Sequence, residues 1–488
     1  MRNLSARERR ILTAFLFISL LGPQALYAQE KFRRSPPFPQ PLRLLKLPEI
    51  ESVKLSNGLK VALVRREGLP LLTMQLIVLS GESSSPEGKS GVATITARMF
   101  PKGAENLTSS KVDEIIEYIG GKVTTAAYGD YSVFTLTFLE EYLEVALDML
   151  SRMILRPSFL RREIDAEKRN IFFEIREREK DPSYLGKKHL LQLLFEGHPY
   201  AKVAFREDSL KNIYPRDILQ FFRRYYRPEN CILLFQGDLN LNTAVKKTSH
   251  YLNLWKGREK EITYLKPPEA CKKKRVAFVD LPGAKEATVF LGNVIYTPSR
   301  KEYFPLFVLN QVLGGTPNSR LFLNLRESKE YAYFAFSEVE LFRLCSVFII
   351  RARVRPKFIF LSVEECLKEI EKILREEISS FEIEQAKSYL LGNFPLNIEN
   401  LDDFSRYLSK ILAFDIGSEF WTRYYENIMS VSTEKVFEIV QNYPFATPVI
   451  VVVGDKENIM DYLSDFEEIE IYDSKGIFQY LISKGVEE

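Results

Sequence analysis

Few side chains in this 488-residue chain are placed for chemistry, and two stretches hold most of them. The first, residues 88–103, reads Gly-Lys-Ser-Gly-Val-Ala-Thr-Ile-Thr-Ala-Arg-Met-Phe-Pro-Lys-Gly. On a helix, Thr94, Ala97 and Arg98 share one face at the i, i+3, i+4 spacing. Histidines at the outer two positions and a carboxylate at the middle one would hold a metal and polarise its bound water. Threonine is a poor zinc ligand, alanine is none, and Arg98 is a permanent cation, so this face as it stands offers no metal ligands. The second stretch, residues 314–333, contains Gly314-Gly315, Ser319-Arg320-Leu321-Phe322, Leu325-Arg326-Glu327 and Tyr331-Ala332-Tyr333. It offers a guanidinium and a phenol, Arg326 and Tyr333, able to hold a substrate oxygen. A plainer assignment, with Arg326 paired to a surface glutamate and Tyr333 packed at a strand start, fits the same residues. Three histidines, His189, His198 and His250, are too scattered to make a metal site.

The first stretch resembles the first active-site helix of the pitrilysin/insulinase-type (M16) zinc peptidases. The likeness is to the short-chain, two-half members that include the mitochondrial processing peptidase. That family's pattern runs roughly Gly-Leu-Ala-His-Phe-Leu-Glu-His-Met, followed by Lys-Gly. Gly91, Ala93, Met99, Lys102 and Gly103 keep the frame, while Thr94, Ala97 and Arg98 stand at its His, Glu and His. The family's third ligand, a Glu about 76 residues past the second His, falls on Glu174 in Asn-Ile-Phe-Phe-Glu-Ile. One carboxylate cannot hold an ion that needs three protein groups. The resemblance therefore implies a degenerate zinc motif, no cofactor in this chain, and no peptide cleavage by the chain alone. A solvated or salt-bridged helix carboxylate is the bland alternative for Glu174.

The second stretch is similar to the family's Gly-Gly, Ser-Arg-Leu-Phe, Leu-Arg-Glu and Leu-Ala-Tyr-Ser. In competent relatives the Arg and Tyr reach the zinc half and contact the substrate carbonyl near the scissile bond. The resemblance thus assigns Arg326 and Tyr333 to substrate binding and oxyanion stabilisation. Glu330 and Tyr331 depart from it, replacing the usual Gly-Leu before Ala332. Some members divide the work between two chains, one with the zinc helix and one with the Arg/Tyr pair. The implied function is a non-catalytic, substrate-binding subunit of an exported heterodimeric zinc metallopeptidase. Its partner would be a zinc-bearing M16 homologue that cleaves peptides, with zinc in that partner. The alternative is a structural or peptide-binding scaffold with no role in catalysis. An independent peptidase would need a His/Glu cluster to replace the lost one, and the sequence has none. Gly120-Gly121 with Lys122–Ala127 resembles the strand to which the family's substrates add, and an ordinary sheet strand fits equally. His198, in Gly-His-Pro-Tyr, matches a frame position and reads as structural.

Such residues need a large scaffold, and the length exceeds one ordinary core. Lys plus Arg (68) nearly balances Asp plus Glu (65), which gives no electrostatic case for nucleic acid. No stretch after the N-terminus approaches the roughly eighteen apolar residues of a membrane span. Residues 1–28 read as a signal peptide: Arg2, Arg7, Arg9 and Arg10, an apolar run from Ile11 to Gly22, then Leu26-Tyr27-Ala28. Export to the periplasm or medium follows, with no membrane attachment after cleavage; an uncleaved anchor is the alternative. Residues 29–47 form a proline-rich lead-in, 48–256 an N-terminal half, 257–274 a linker and 275–488 a C-terminal half. The basic run from Lys272 to Arg275 reads as a solvated linker end. Cys231, Cys271, Cys345 and Cys366 read as small buried thiols, a Cys345–Cys366 bridge being the other possibility.

Internal repetition organises the two halves. Tyr131-Ser-Val-Phe134 is echoed by Cys345-Ser-Val-Phe348, 214 residues on, and the strand ending at Gly237-Asp238 by one ending at Gly454-Asp455, 217 residues on. Amphipathic helices through Leu143–Ile154 and Val363–Leu374 correspond. Ser56-Asn57-Gly58 marks a hairpin, and helix Val112–Ile119 stops at Gly120. The fold class expected is α+β, two homologous halves of antiparallel-rich sheets covered by helices. The resemblance adds that they face each other as a clam shell.

Overall fold

Asn57-Gly58 turns the first two strands on one another, β1 (Ile50–Lys54) and β2 (Lys60–Arg65), with Gly58 at φ 96°. The chain is described here from a computed structural model, covering residues 47–484 except 206, 258–264, 272, 297–301, 377 and 443–444. The signal peptide expected at 1–28, nearly all of the lead-in and half of the linker lie outside those residues. The other strands of the first half are β3 (Leu71–Val78), β4 (Lys122–Ala127), β5 (Ser132–Leu139) and β6 (Cys231–Gly237). Its longer helices are α1 (Val92–Met99), α2 (Ser109–Tyr118), α3 (Leu143–Leu155), α4 (Arg161–Arg178), α5 (Pro182–Leu194), α6 (Pro215–Tyr225) and α7 (Leu241–Leu252).

The second half repeats the plan. Its strands are β7 (Arg275–Asp280), β8 (Ala287–Tyr296), β9 (Ala332–Leu341), β10 (Cys345–Val354), β11 (Val449–Gly454), β12 (Glu468–Tyr472) and β13 (Phe478–Ser483). Helices α8 (Tyr303–Asn310), α9 (Ile359–Arg375), α10 (Ser380–Glu399), α11 (Leu401–Ala413) and α12 (Thr433–Asn442) accompany them. The first sheet runs β1-β2-β6-β3-β5-β4 and the second β13-β12-β7-β11-β8-β10-β9. From β2 and from β7 onward the two orders are the same, each with one parallel pair (β2/β6 and β7/β11) followed by antiparallel ladders. Only the outer strands differ.

The halves face one another as the shells of a clam and exchange a helix at the seam. Helix α5 comes between β5 and β6 of the first sheet in the chain but packs on β8 and β11 of the second, burying Leu185, Leu190, Leu191 and Leu194. The close approach requires missing side chains: a Cβ on Gly186 would stand 2.2 Å from the Phe290 ring, and one on Gly292 2.7 Å from Leu190. In return α11 packs on β3, where Ser405 joins Gln236 (3.0 Å) and Gln75 in a buried amide chain. Apolar helix faces cannot stay in water, and each half lends its spare face to the other's sheet.

Three details revise the sequence reading. Arg275 is not part of a solvated linker end: it opens β7, held between Glu470 (2.9 Å) and Glu196 (2.8 Å). The four cysteines are free thiols, Cys345 on β10 and Cys366 on α9, and Cys271 is only half-buried. Burial raises the Cys366 thiol to about 12, which leaves it inert. The linker's described part is tied down, Lys266 by His198 (2.9 Å) and Cys271 by Thr447 (3.2 Å).

Candidate functional site

Helix α1 starts from an unusual cap. Gly91 at φ 98° turns the chain in a left-handed conformation that a side chain would oppose. The exposed amides of the first turn then converge on Glu82, nine residues upstream. Its Oε2 accepts from Gly91 N (2.9 Å) and Ser85 Oγ (2.9 Å), and its Oε1 from Thr94 N (2.7 Å) and Thr94 Oγ1 (2.5 Å). Glu82 is 2% exposed, and burial raises its pKa even against these four donors. Sequence reasoning missed this residue, whose partners are mainly backbone amides and hydroxyls that no motif marks.

One turn further, Arg98 meets Glu174 of α4 in a bidentate pair, Nη1–Oε1 2.7 Å and Nη2–Oε2 2.5 Å, with Glu167 3.9 Å away. The pair holds the Glu174 carboxyl below its ordinary range and the guanidinium above its own. Ala97 is 3% exposed and faces packed side chains. Thr94, Arg98, Glu174, Arg178 and residues 125–127 of β4 line a cleft of about 470 Å³. Strand β4 ends its sheet, so among the described residues its outer edge has no strand partner. Thr94, Arg98 and Glu174, which the sequence reading grouped, lie together along this cleft with β4 beside them, while Ala97 is not part of its lining.

Arg326 and Tyr333 stand elsewhere and do not line that cleft. Arg326 lies within the second of two π-helical turns, Gln311–Gly315 and Leu323–Ser328, and a bidentate Arg320–Glu382 pair (2.6 and 3.0 Å) pins the segment between the turns. Arg326 lies 4.8 Å over the Phe322 ring and 3.7 Å from Glu327, with half of its side chain exposed. Tyr333, at the start of β9, is 49% exposed. Glu330, where the resemblance expects glycine, has φ 56°, so the backbone keeps the left-handed shape that glycine would supply. Tyr331 stacks on Phe358 at 4.5 Å.

Comparison with known proteins agrees with this arrangement. Residues 60–207 match the family described as insulinase (peptidase family M16), and residues 212–390 the one described as peptidase M16 inactive domain. The chain belongs to the M16 family. Among its M16 relatives is the zinc protease PqqE of Helicobacter pylori, 28% identical over 73% of this chain and 82% of that protein. Another is the non-peptidase homolog YmxG of the same organism, 24% identical over 71% of this chain and 80% of that one. The crystal structure of a protease from Helicobacter pylori superposes with a TM-score of 0.76, at 24% identity, covering 84% of this chain and all of that one.

M16 membership implies zinc, and the residues here do not fit it. At the positions that the sequence resemblance assigns to the two histidines stand a hydroxyl locked onto Glu82 and a guanidinium bonded to Glu174. Among the described residues no group of three His, Cys, Asp or Glu could hold a metal ion. This is the site of a non-catalytic M16-like protein. No described helix is long and apolar enough to cross a membrane.

Proposed function

We propose that this chain is the non-catalytic, substrate-binding subunit of an exported M16 metallopeptidase pair. The observation that carries the proposal is the Arg98–Glu174 pair. It puts an internal salt bridge where the sequence resemblance expects metal ligands, and the surrounding frame supports the reading, from the left-handed Gly91 to the β4 strand at the end of its sheet. Arg326 and Tyr333 remain half-exposed, which supports a role in contacts outside the chain. Occurrence of a zinc protease and a non-peptidase homolog among the relatives from one organism supports a division of labour between two chains. The basic, then apolar, N-terminus supports export.

A purely structural scaffold is the second reading, favoured by the contacts of Arg326 with Glu327 and Phe322 of its own half. Turnover of peptide by the chain reconstituted with a zinc-bearing M16 homologue separates the two. Arg326→Ala should lower kcat/KM by about 10²–10³ with the complex intact, the usual effect of losing one oxyanion contact. Tyr333→Phe removes only a hydroxyl and should also slow the reaction. A scaffold leaves both variants at the wild-type rate.

A further inference from the structure

Beyond Arg326 the second sheet carries a feature that the reading above leaves unused. Phe334 and Phe336 alternate on one face of β9, directly across from Arg353 and Arg351 of β10. Arg351 and Arg353 lie 5.2 and 5.3 Å from the Phe334 ring centre, and Phe334 stacks on Phe336 at 5.9 Å. Phe336 meets Phe322 at 5.5 Å, and Phe322 lies under Arg326. Three guanidinia and three rings thus form a continuous strip that ends at Arg326.

Charge on the strip is one-sided. Farther along the same face, Glu338 and Glu340 are each met by Lys187 of α5 at 2.9 Å. Glu286 reaches Arg353 only at 3.5 Å and Glu327 reaches Arg326 only at 3.7 Å. Among the described residues, Arg351 has no carboxylate within ion-pair distance. A guanidinium laid on a ring gives up hydration on one face and keeps its edge donors, which match a carboxylate in pairs.

Strand β9 is also the end of its sheet and, among the described residues, has no strand partner on its outer edge. An extended segment added there would put every second side chain over the strip. We propose that the β9 edge with Arg351 and Arg353 binds an extended acidic peptide through its Asp or Glu side chains. This names the substrate class of the face that carries Arg326, and it rests on that face being the substrate-binding one.

The test is fluorescence anisotropy on the purified full chain, with no partner present. The probe is a labelled, amidated peptide of alternating Thr and Glu, compared with its Gln and Lys counterparts. The Glu peptide should bind about ten-fold more tightly than the Gln peptide, and the advantage should shrink with salt. Arg351→Gln with Arg353→Gln should remove the difference while circular dichroism stays unchanged. Arg351→Glu with Arg353→Glu should transfer the preference to the Lys peptide. Equal binding of the Glu and Gln peptides by the wild type would overturn the proposal, as would a preference that survives the double Gln variant. A Gln peptide with a free C-terminal carboxylate that binds as well as the Glu peptide would overturn it too, by assigning the strip to chain ends. So would self-association of the chain that excludes every peptide. Trans activity lost in Arg326→Ala is read separately, so failure of the acidic preference does not imply failure of the subunit role.

Discussion

Arg98 and Glu174 stand 76 residues apart in the chain and meet through two parallel N–H···O bonds of 2.7 and 2.5 Å. The sequence resemblance assigns both positions to metal ligands, and here the two side chains satisfy each other through a contact internal to the chain. The side chains are 27% and 48% exposed, and water screens much of their attraction. Arg98→Ala should therefore cost only about 1 kcal/mol or less in denaturant unfolding. A loss several times larger would mean that the pair is a structural keystone.

Glu82 should matter far more. Its removal in Glu82→Ala strands two backbone amides and two hydroxyls at the start of α1, at an expected cost of about 2–4 kcal/mol by urea unfolding.

The same residue sets a pH dependence. Burial raises its folded pKa, so the native state binds a proton more tightly than the unfolded chain does. The stabilisation it brings is complete below the ordinary glutamate value of 4.5 and is lost as pH rises through the higher folded value. Unfolding free energy measured upward from pH 4.5 should carry this falling contribution, and Glu82→Gln should remove it. An unchanged profile in the variant would count against the assignment.

Asp130 ties the halves together. From the β4–β5 turn it accepts Tyr200 Oη at 2.8 Å and the Arg343 amide of the β9–β10 turn at 2.8 Å, while Tyr200 Oη accepts Leu344 N at 3.2 Å. Asp130→Ala should cost about 2–3 kcal/mol, and Tyr200→Phe added to it should cost less than the sum of the singles.

Much of this was legible before any coordinates. The repeated anchors near Val133 and Val347, and at Gly237 and Gly454, correspond to β5/β10 and β6/β11. Period and turn chemistry reached the β1–β2 hairpin and the end of α2 because both are local. The exchange of α5 and α11 was not legible: an apolar helix face does not state which sheet it will cover. Glu82 was hidden for a related reason, since its partners are amides that a sequence does not display. The alternation of Tyr333-Phe-Ala-Phe336 against Arg351-Ala-Arg353 was visible, but its meaning needed the register between β9 and β10.

The most direct measurement is elemental analysis of the purified chain after exposure to zinc and removal of loose metal, alongside a peptidase assay. The chain should hold no stoichiometric zinc and cleave no peptide, because Thr94 is bound to Glu82 and Arg98 to Glu174. One tightly held zinc per chain, lost in Glu174→Gln, would contradict that expectation.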